Sequence, residues 1–358
     1  MTSATRWVES LSPWPADGFG LDRIRALLAD LGDPQLRYPA VHVVGTNGKS
    51  TTTRLTEALL ADAGLVVGAY CSPHVRSWSE RIRVRDDEAD FEQTVAAVRA
   101  SAERLHATQF EVLTAAALLA FAEAEVEVAV VEAGLGGRHD ATNVLDARVV
   151  VLTNVALEHT DVLGDTREAI AAEKLAVVRP GMTVVLSEDE WKPLLDDNLV
   201  VVTARSNLAL AVAAAEAFLG RPVDAHAAED VALPGRLEHR SEDPLEIWDG
   251  AHNLAGIGYL LPRLPDRDFV IVASILRDKR PELMLEALSV VGGTLVATES
   301  GNDRSVPAAE LAEIGRRFFD RVEAQPDPQA ARNRALESGD AVLVTGSLYL
   351  LSELHGHG

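Results

Sequence analysis

Seven consecutive residues, Gly45-Thr46-Asn47-Gly48-Lys49-Ser50-Thr51, follow the apolar run at residues 41–44 and open a stretch of helical spacing. Glycines let a backbone curl until its N–H groups face a phosphate, and a helix N-terminus adds its positive end. Lys49 is placed to reach terminal phosphates, and Ser50 or Thr51 to offer a hydroxyl to magnesium. The strict form of this loop puts a glycine where Val43 stands, so it is a variant phosphate loop. By contrast, Gly134-Leu135-Gly136-Gly137 imitates a dinucleotide fingerprint and fails it, because His139 stands where the third glycine belongs. Glu132 closes the apolar run at residues 128–131, and His159 lies shortly after the run at residues 149–152. Two such ligand types at successive strand ends suit magnesium beside ATP phosphates, with Glu158 and Asp161 as nearby carboxylates.

The elements that must position these groups read as strands alternating with helices, which means a mostly parallel sheet covered on both faces. After a strong helix at residues 207–219 comes a Pro- and Gly-containing break with an acidic patch, and then the alternation restarts. The expected class is α/β: a P-loop, doubly wound, mostly parallel sheet domain over residues 1–232, then a smaller Rossmann-like α/β domain over 233–358. The chain has 358 residues, 47% of them hydrophobic, enough for two buried cores. No run of 18 uncharged apolar residues is present, and the N-terminus lacks the pattern of a signal peptide. One cysteine, Cys71, rules out an internal disulfide framework and fits a reducing cytoplasm. The formal charge of −22 argues against a general role on nucleic acid, while leaving room for small anions met by local donors.

The motifs extend well beyond the loop. Gly45 to Thr51 is followed by Cys71-Ser72-Pro73-His74, by Ser79-Glu80-Arg81-Ile82-Arg83-Val84 and by Thr108-Gln109-Phe110-Glu111. Then come VVEAGLGGRHDATN at 130–143, LEHTDVLGDTREAIAAEK at 157–174, Pro234-Gly235-Arg236-Leu237-Glu238, Asp249-Gly250-Ala251-His252-Asn253, Asp278-Lys279 and Val344-Thr345-Gly346-Ser347-Leu348-Tyr349. In this order, over nearly the whole chain, the set resembles the folylpolyglutamate synthase/dihydrofolate synthase family of the Mur ligase superfamily.

The resemblance implies an ATP-dependent ligase that adds L-glutamate to dihydropteroate, to reduced folate, or to both, with ATP and Mg2+ as cofactors. It further implies a cytoplasmic monomer whose partners are small molecules. Gly45, Thr46, Asn47, Gly48, Lys49, Ser50 and Thr51 would hold the nucleotide phosphates, with Asn207 at the adenine and Arg236, Asp249 and His252 contributed by the second domain. Ser72, Glu132 and His159, together with Ser50 and Thr51, match the metal ligands. Lys174 matches a lysine that the family carries as a carbamate, and Phe110, Arg138 and Asp140 lie in segments bordering the substrate pockets. Lys49, His159, Lys174 and Arg236 are the expected catalytic groups. Three features depart from the family pattern: Ser50 directly after Lys49, Glu158 before the histidine, and Leu254 after Asn253. Only 25 residues separate Gly181 from Asn207, which predicts a trimmed first-domain sheet with two strands in that interval. Another carboxylate–amine ligase of the superfamily, and a non-catalytic ATP-binding descendant, remain open at this level.

Overall fold

The computed structural model describes residues 2–15 and 18–356. The chain forms two compact units, one of Met1–His74 and Trp78–Val231, the other of Val75–Ser77 and Ala232–Gly358.

The first unit is built on eight strands: β1 (Ala40–Val44), β2 (Val67–Tyr70), β3 (Ile82–Val84), β4 (Asp87–Glu88), β5 (Val128–Glu132), β6 (Ala147–Leu152), β7 (Thr183–Leu186) and β8 (Val200–Thr203). Their order across the sheet is β4-β3-β2-β5-β1-β6-β7-β8. Pairing is parallel from β2 through β8, and antiparallel only at the β2–β3–β4 edge. Every residue of β1 and β5 is buried, as unbroken valine-rich runs require when helices cover both faces of a sheet. β1 lies at the centre, its Val43 opposite Glu132 of β5 and its Val44 opposite Leu152 of β6. The carboxyl ends of these three strands are therefore level, and an open α/β sheet presents its ligands at that edge.

The helix Lys49–Asp62 starts from the end of β1 and covers one face, packed beside the helix Asn207–Leu219 through the cluster of Leu55, Leu59, Leu210 and Ala214. The helix Gln109–Glu123 covers the other face, opened by a capping box in which Thr108 and Glu111 exchange hydrogen bonds. The two strands expected between residues 181 and 207 are β7 and β8, and β8 forms the sheet edge.

The second unit holds six strands: β9 (Glu238–Glu242), β10 (Leu245–Trp248), β11 (Val270–Ala273), β12 (Thr294–Ala297), β13 (Arg321–Ala324) and β14 (Ala341–Thr345). Their order is β13-β12-β11-β14-β10-β9, parallel except for the β9–β10 hairpin. This is the smaller doubly wound sheet that the restarted alternation predicts.

Candidate active site

The phosphate loop leaves β1 with Gly45 at φ +143° and reaches the helix Lys49–Asp62 through Gly48 at φ +80°. Both glycines are required twice over, by backbone angle and by space. A Cβ on Gly45 would fall 2.0 Å from Oγ1 of Thr153, and one on Gly48 would fall 2.6 Å from Oδ1 of Asn207. The same contact places the Asn207 side chain against the loop, although Asn207 lies far along the chain.

The loop is pinned from the residues that follow β6. Asn47 N donates to Asn154 Oδ1 at 2.8 Å, Thr46 N to the Asn154 carbonyl at 3.0 Å, and Thr153 Oγ1 to the Asn47 carbonyl at 2.7 Å. Thr46 Oγ1 accepts from Ala156 N at 3.1 Å. Sequence reasoning missed Thr153 and Asn154; the available signal was a polar pair placed directly after an apolar strand.

Lys49 begins the helix, and its Nζ donates to the Thr46 carbonyl at 3.1 Å and stands 4.0 Å from Glu132 Oε1. Glu132, at the end of β5, is 1% exposed, and its Oε2 accepts from Ser72 N at 3.1 Å. Lys49, Glu132 and Ser72, which lie on three separate segments, are thus brought together, with Ser50 and Thr51 in the first helical turn.

A cavity of about 30 Å³ opens beside them, lined by the loop residues Gly45, Thr46 and Lys49 and by Glu158, His159 and Lys174, with Gly134, Leu135 and Leu163 completing the wall. His159 sits in the left-handed region at φ 51° and caps the short helix Thr160–Leu163. Lys174, in the last turn of the helix Arg167–Leu175, is 2% exposed and donates from Nζ to the Leu135 carbonyl at 2.9 Å. Burial, reinforced by the positive charge of Lys49, pushes its pKa down to about 7 against the pull of Glu158, Asp140 and Glu173. A lysine in that range has a large neutral fraction at neutral pH.

Asp140 faces inward: Oδ2 accepts from Leu135 N at 2.9 Å and Gly136 N at 3.3 Å, and Oδ1 from Thr142 N and Oγ1 at 3.1 and 2.6 Å. It therefore shapes the 134–137 turn whose Leu135 carbonyl holds Lys174. No helix starts at that turn, and Gly137 lies against the Glu173 and Lys174 carbonyls, where a Cβ would come within 2.3 and 2.5 Å. His42 packs behind, fully buried, its Nε2 2.8 Å from Thr142 Oγ1. Phe110 is half-buried, its ring 6.1 Å from that of Tyr70 and packed on Gly134. Arg138 is exposed and tied to Glu173.

Arg236, Asp249 and His252 belong to the second unit and form a group at the carboxyl end of β10. Asp249 accepts from Leu237 N at 2.8 Å and Ala251 N at 2.9 Å. Burial raises its pKa, opposed by the Arg236 charge. Arg236 Nη1 donates to the Gly235 carbonyl at 3.0 Å, and His252 Nδ1 lies 2.9 Å from the Gly250 carbonyl.

Two family models match the chain, the Mur ligase middle domain over residues 43–202 and the Mur ligase glutamate ligase domain over residues 235–348. The dihydrofolate synthase/folylpolyglutamate synthase of Escherichia coli strain K12 is 32% identical, over 99% of this chain and 94% of its own length. The chain belongs to the dihydrofolate synthase/folylpolyglutamate synthase family. Solved members match nearly all of it. Escherichia coli FolC in complex with DHPP and ADP gives a TM-score of 0.87 at 30% identity, covering 99% of this chain and 97% of that one. The bifunctional synthase of Yersinia pestis with AMPPNP and a Mn ion gives 0.86 at 30% identity, covering 99% and 98%. The fold and membership expected from the motifs are those observed.

Proposed function

We propose that this chain joins L-glutamate to dihydropteroate, to reduced folate, or to both, by an ATP-dependent reaction that passes through an acyl phosphate. The observation that carries the reading is the convergence of Lys49, His159 and Lys174 on one cavity at the end of the central strands, with Glu132 4.0 Å from Lys49. The relatives that span the whole chain carry the matching name.

A carboxylate oxygen is a poor leaving group, so the acid must first take the terminal phosphoryl group of ATP. The glutamate amine then attacks the acyl carbon, and phosphate departs with the carbon–oxygen bond. Phosphoryl transfer asks a protein for position and charge neutralisation rather than covalent help. The loop N–H groups and Lys49 supply positive charge to the phosphates, and the pinning by Thr153 and Asn154 holds those groups in place beforehand.

The converging donors also suit a divalent ion. Among the described residues no three His, Cys, Asp or Glu side chains form a ready-made cage. Glu132 with the hydroxyls of Ser50, Thr51 and Ser72 makes a hard, oxygen-rich set, of the kind that binds magnesium or manganese through one carboxylate and leaves the remaining positions to phosphates and water. His159 would add one nitrogen. When bound, the ion supplies charge neutralisation at the phosphate oxygens. His159→Ala is expected to raise the magnesium concentration needed for half-maximal turnover; a titration identical to wild type would return His159 to an ordinary loop histidine.

The reading brings with it a cytoplasmic monomer acting on small molecules, in keeping with the −22 charge and the single cysteine. It is tested by supplying Mg-ATP and glutamate with dihydropteroate or tetrahydrofolate in separate reactions and weighing the products. A gain of one glutamate on either supports it, and glutamate-independent ATP hydrolysis alone contradicts it.

A further inference from the structure

His42 is a polar ring in the apolar run of β1, a strand paired on both sides, and it is 1% exposed. Its Nε2 stands 2.8 Å from Oγ1 of Thr142, itself fully buried and 100 positions further along the sequence. The same hydroxyl donates to Asp140 Oδ1 at 2.6 Å, and Thr142 N donates to that oxygen at 3.1 Å. From the other carboxylate oxygen the path continues to Leu135 N at 2.9 Å and Gly136 N at 3.3 Å. It ends where the Leu135 carbonyl accepts from Lys174 Nζ at 2.9 Å.

Counting protons fixes the direction of each link. A threonine hydroxyl has one proton to give, and a carboxylate can only accept. The Thr142 proton is therefore committed to Asp140, and Oγ1 turns a lone pair toward His42. Nε2 must then carry the imidazole hydrogen. Burial pushes the His42 pKa down to about 4, opposed by the Asp140 charge and reinforced by that of Arg179. The ring is thus neutral at pH 7, and Nδ1 is left without a proton. Every group along the path has one orientation, from the middle of the sheet to a lysine at the cavity wall.

We propose that His42 and Thr142 are positioning residues, which tie Asp140 and the 134–137 turn to the central strand and so hold Lys174 toward the cavity it shares with the phosphate loop. The inference deepens the ligase reading above and rests on it. Among the described residues Lys174 Nζ hydrogen-bonds only to the Leu135 carbonyl, so an error in the turn passes directly to the amine. The phosphate loop is pinned separately, by Thr153 and Asn154, and nucleotide binding should survive loss of the path.

The test compares wild type with Thr142→Val, Thr142→Ser, His42→Leu and the double variant Thr142→Val/His42→Leu, all as the full chain. Turnover is counted per nucleotide-binding site, so that misfolded protein does not enter. Thr142→Val removes the hydroxyl at nearly constant shape and is expected to lower kcat about tenfold, with the KM for ATP within about twofold of wild type. His42→Leu should do the same, and Thr142→Ser, which keeps the hydroxyl, should restore most of the rate. The double variant should be no slower than Thr142→Val, because both changes cut one path. A second readout needs only wild type: 15N-edited NMR of the His42 ring, assigned by its loss in His42→Leu, should show a neutral imidazole protonated at Nε2. A proton on Nδ1 instead, a lower melting temperature with kcat unchanged in Thr142→Val, a Thr142→Ser as slow as Thr142→Val, or additive losses in the double variant would overturn the proposal. The NMR readout requires no turnover, so it is decided apart from the ligase reading, which wild type forming no glutamate-containing product would overturn.

Discussion

Lys49→Ala lowers ATP-dependent turnover by about a thousandfold or more, the scale seen when a preorganised charge is removed from a transition state. The melting temperature should move by only a few degrees. The reason is local: the Lys49 head group contacts the Thr46 carbonyl and the edge of Glu132 rather than any part of the hydrophobic core. Substitution leaves Glu132 buried without that nearby charge, and this is where a modest loss of stability would originate. Lys49 also depresses the Lys174 pKa, so its removal lets Lys174 drift back toward the ammonium form. Lys49→Arg separates the two effects. It retains the charge felt by Lys174 but replaces a compact ammonium with a broad fork, so turnover should still fall steeply. Near-normal turnover in Lys49→Ala, with a normal melting profile, would remove the phosphate loop from the mechanism.

Lys174→Met should lower kcat about a hundredfold or more while raising the melting temperature at pH 7 in buffer free of carbon dioxide. The sign follows from linkage. In the unfolded chain the lysine keeps a proton up to its ordinary pKa, whereas in the folded chain it releases the proton near pH 7. Between those values the unfolded state binds more protons, so wild-type stability rises with pH. The advantage of the methionine variant should therefore shrink as pH climbs from 7 toward 10. A residue that costs stability yet occupies the cavity wall is a candidate for chemistry rather than packing. Only a neutral amine has the lone pair needed to combine with carbon dioxide, so the lowered pKa also supports the carbamate implied by the family. Carbon dioxide-free buffer should then reduce wild-type turnover, and added bicarbonate should restore it. Turnover indifferent to bicarbonate, together with full activity of Lys174→Met, would leave this lysine without a role.

Much of the fold could be read ahead of the structure because its physical causes are local. β1, β5 and β6 are buried on both faces and so appear as nearly unbroken valine runs, and the loop glycines mark positions where a Cβ has no room. Alternation of strand and helix implied a parallel sheet. It could not tell that β5 and β6 flank β1, because neighbour choice is settled by packing between distant segments. The site was legible in the same uneven way. Lys49, Glu132 and His159 stand at strand ends and helix starts, where residue type and position together suggest a ligand. Thr153 and Asn154 look like ordinary polar residues, and their roles exist only through partners that lie far away in sequence. Asp140 is another case: its motif suggests a substrate pocket, and the structure adds a role the motif does not show, Oδ2 accepting from the 134–137 turn and Oδ1 from Thr142.

The most direct test of the central claim is a mass measurement on the products formed by the purified chain with Mg-ATP and glutamate. Dihydropteroate and tetrahydrofolate would be supplied in separate reactions, with ADP release followed alongside. The expected result is a gain of one or more glutamate residues on at least one acceptor, matched by an equal amount of ADP. ATP bound by the loop with no mass gain on either acceptor would contradict it, and would assign the site to a different carboxylic acid.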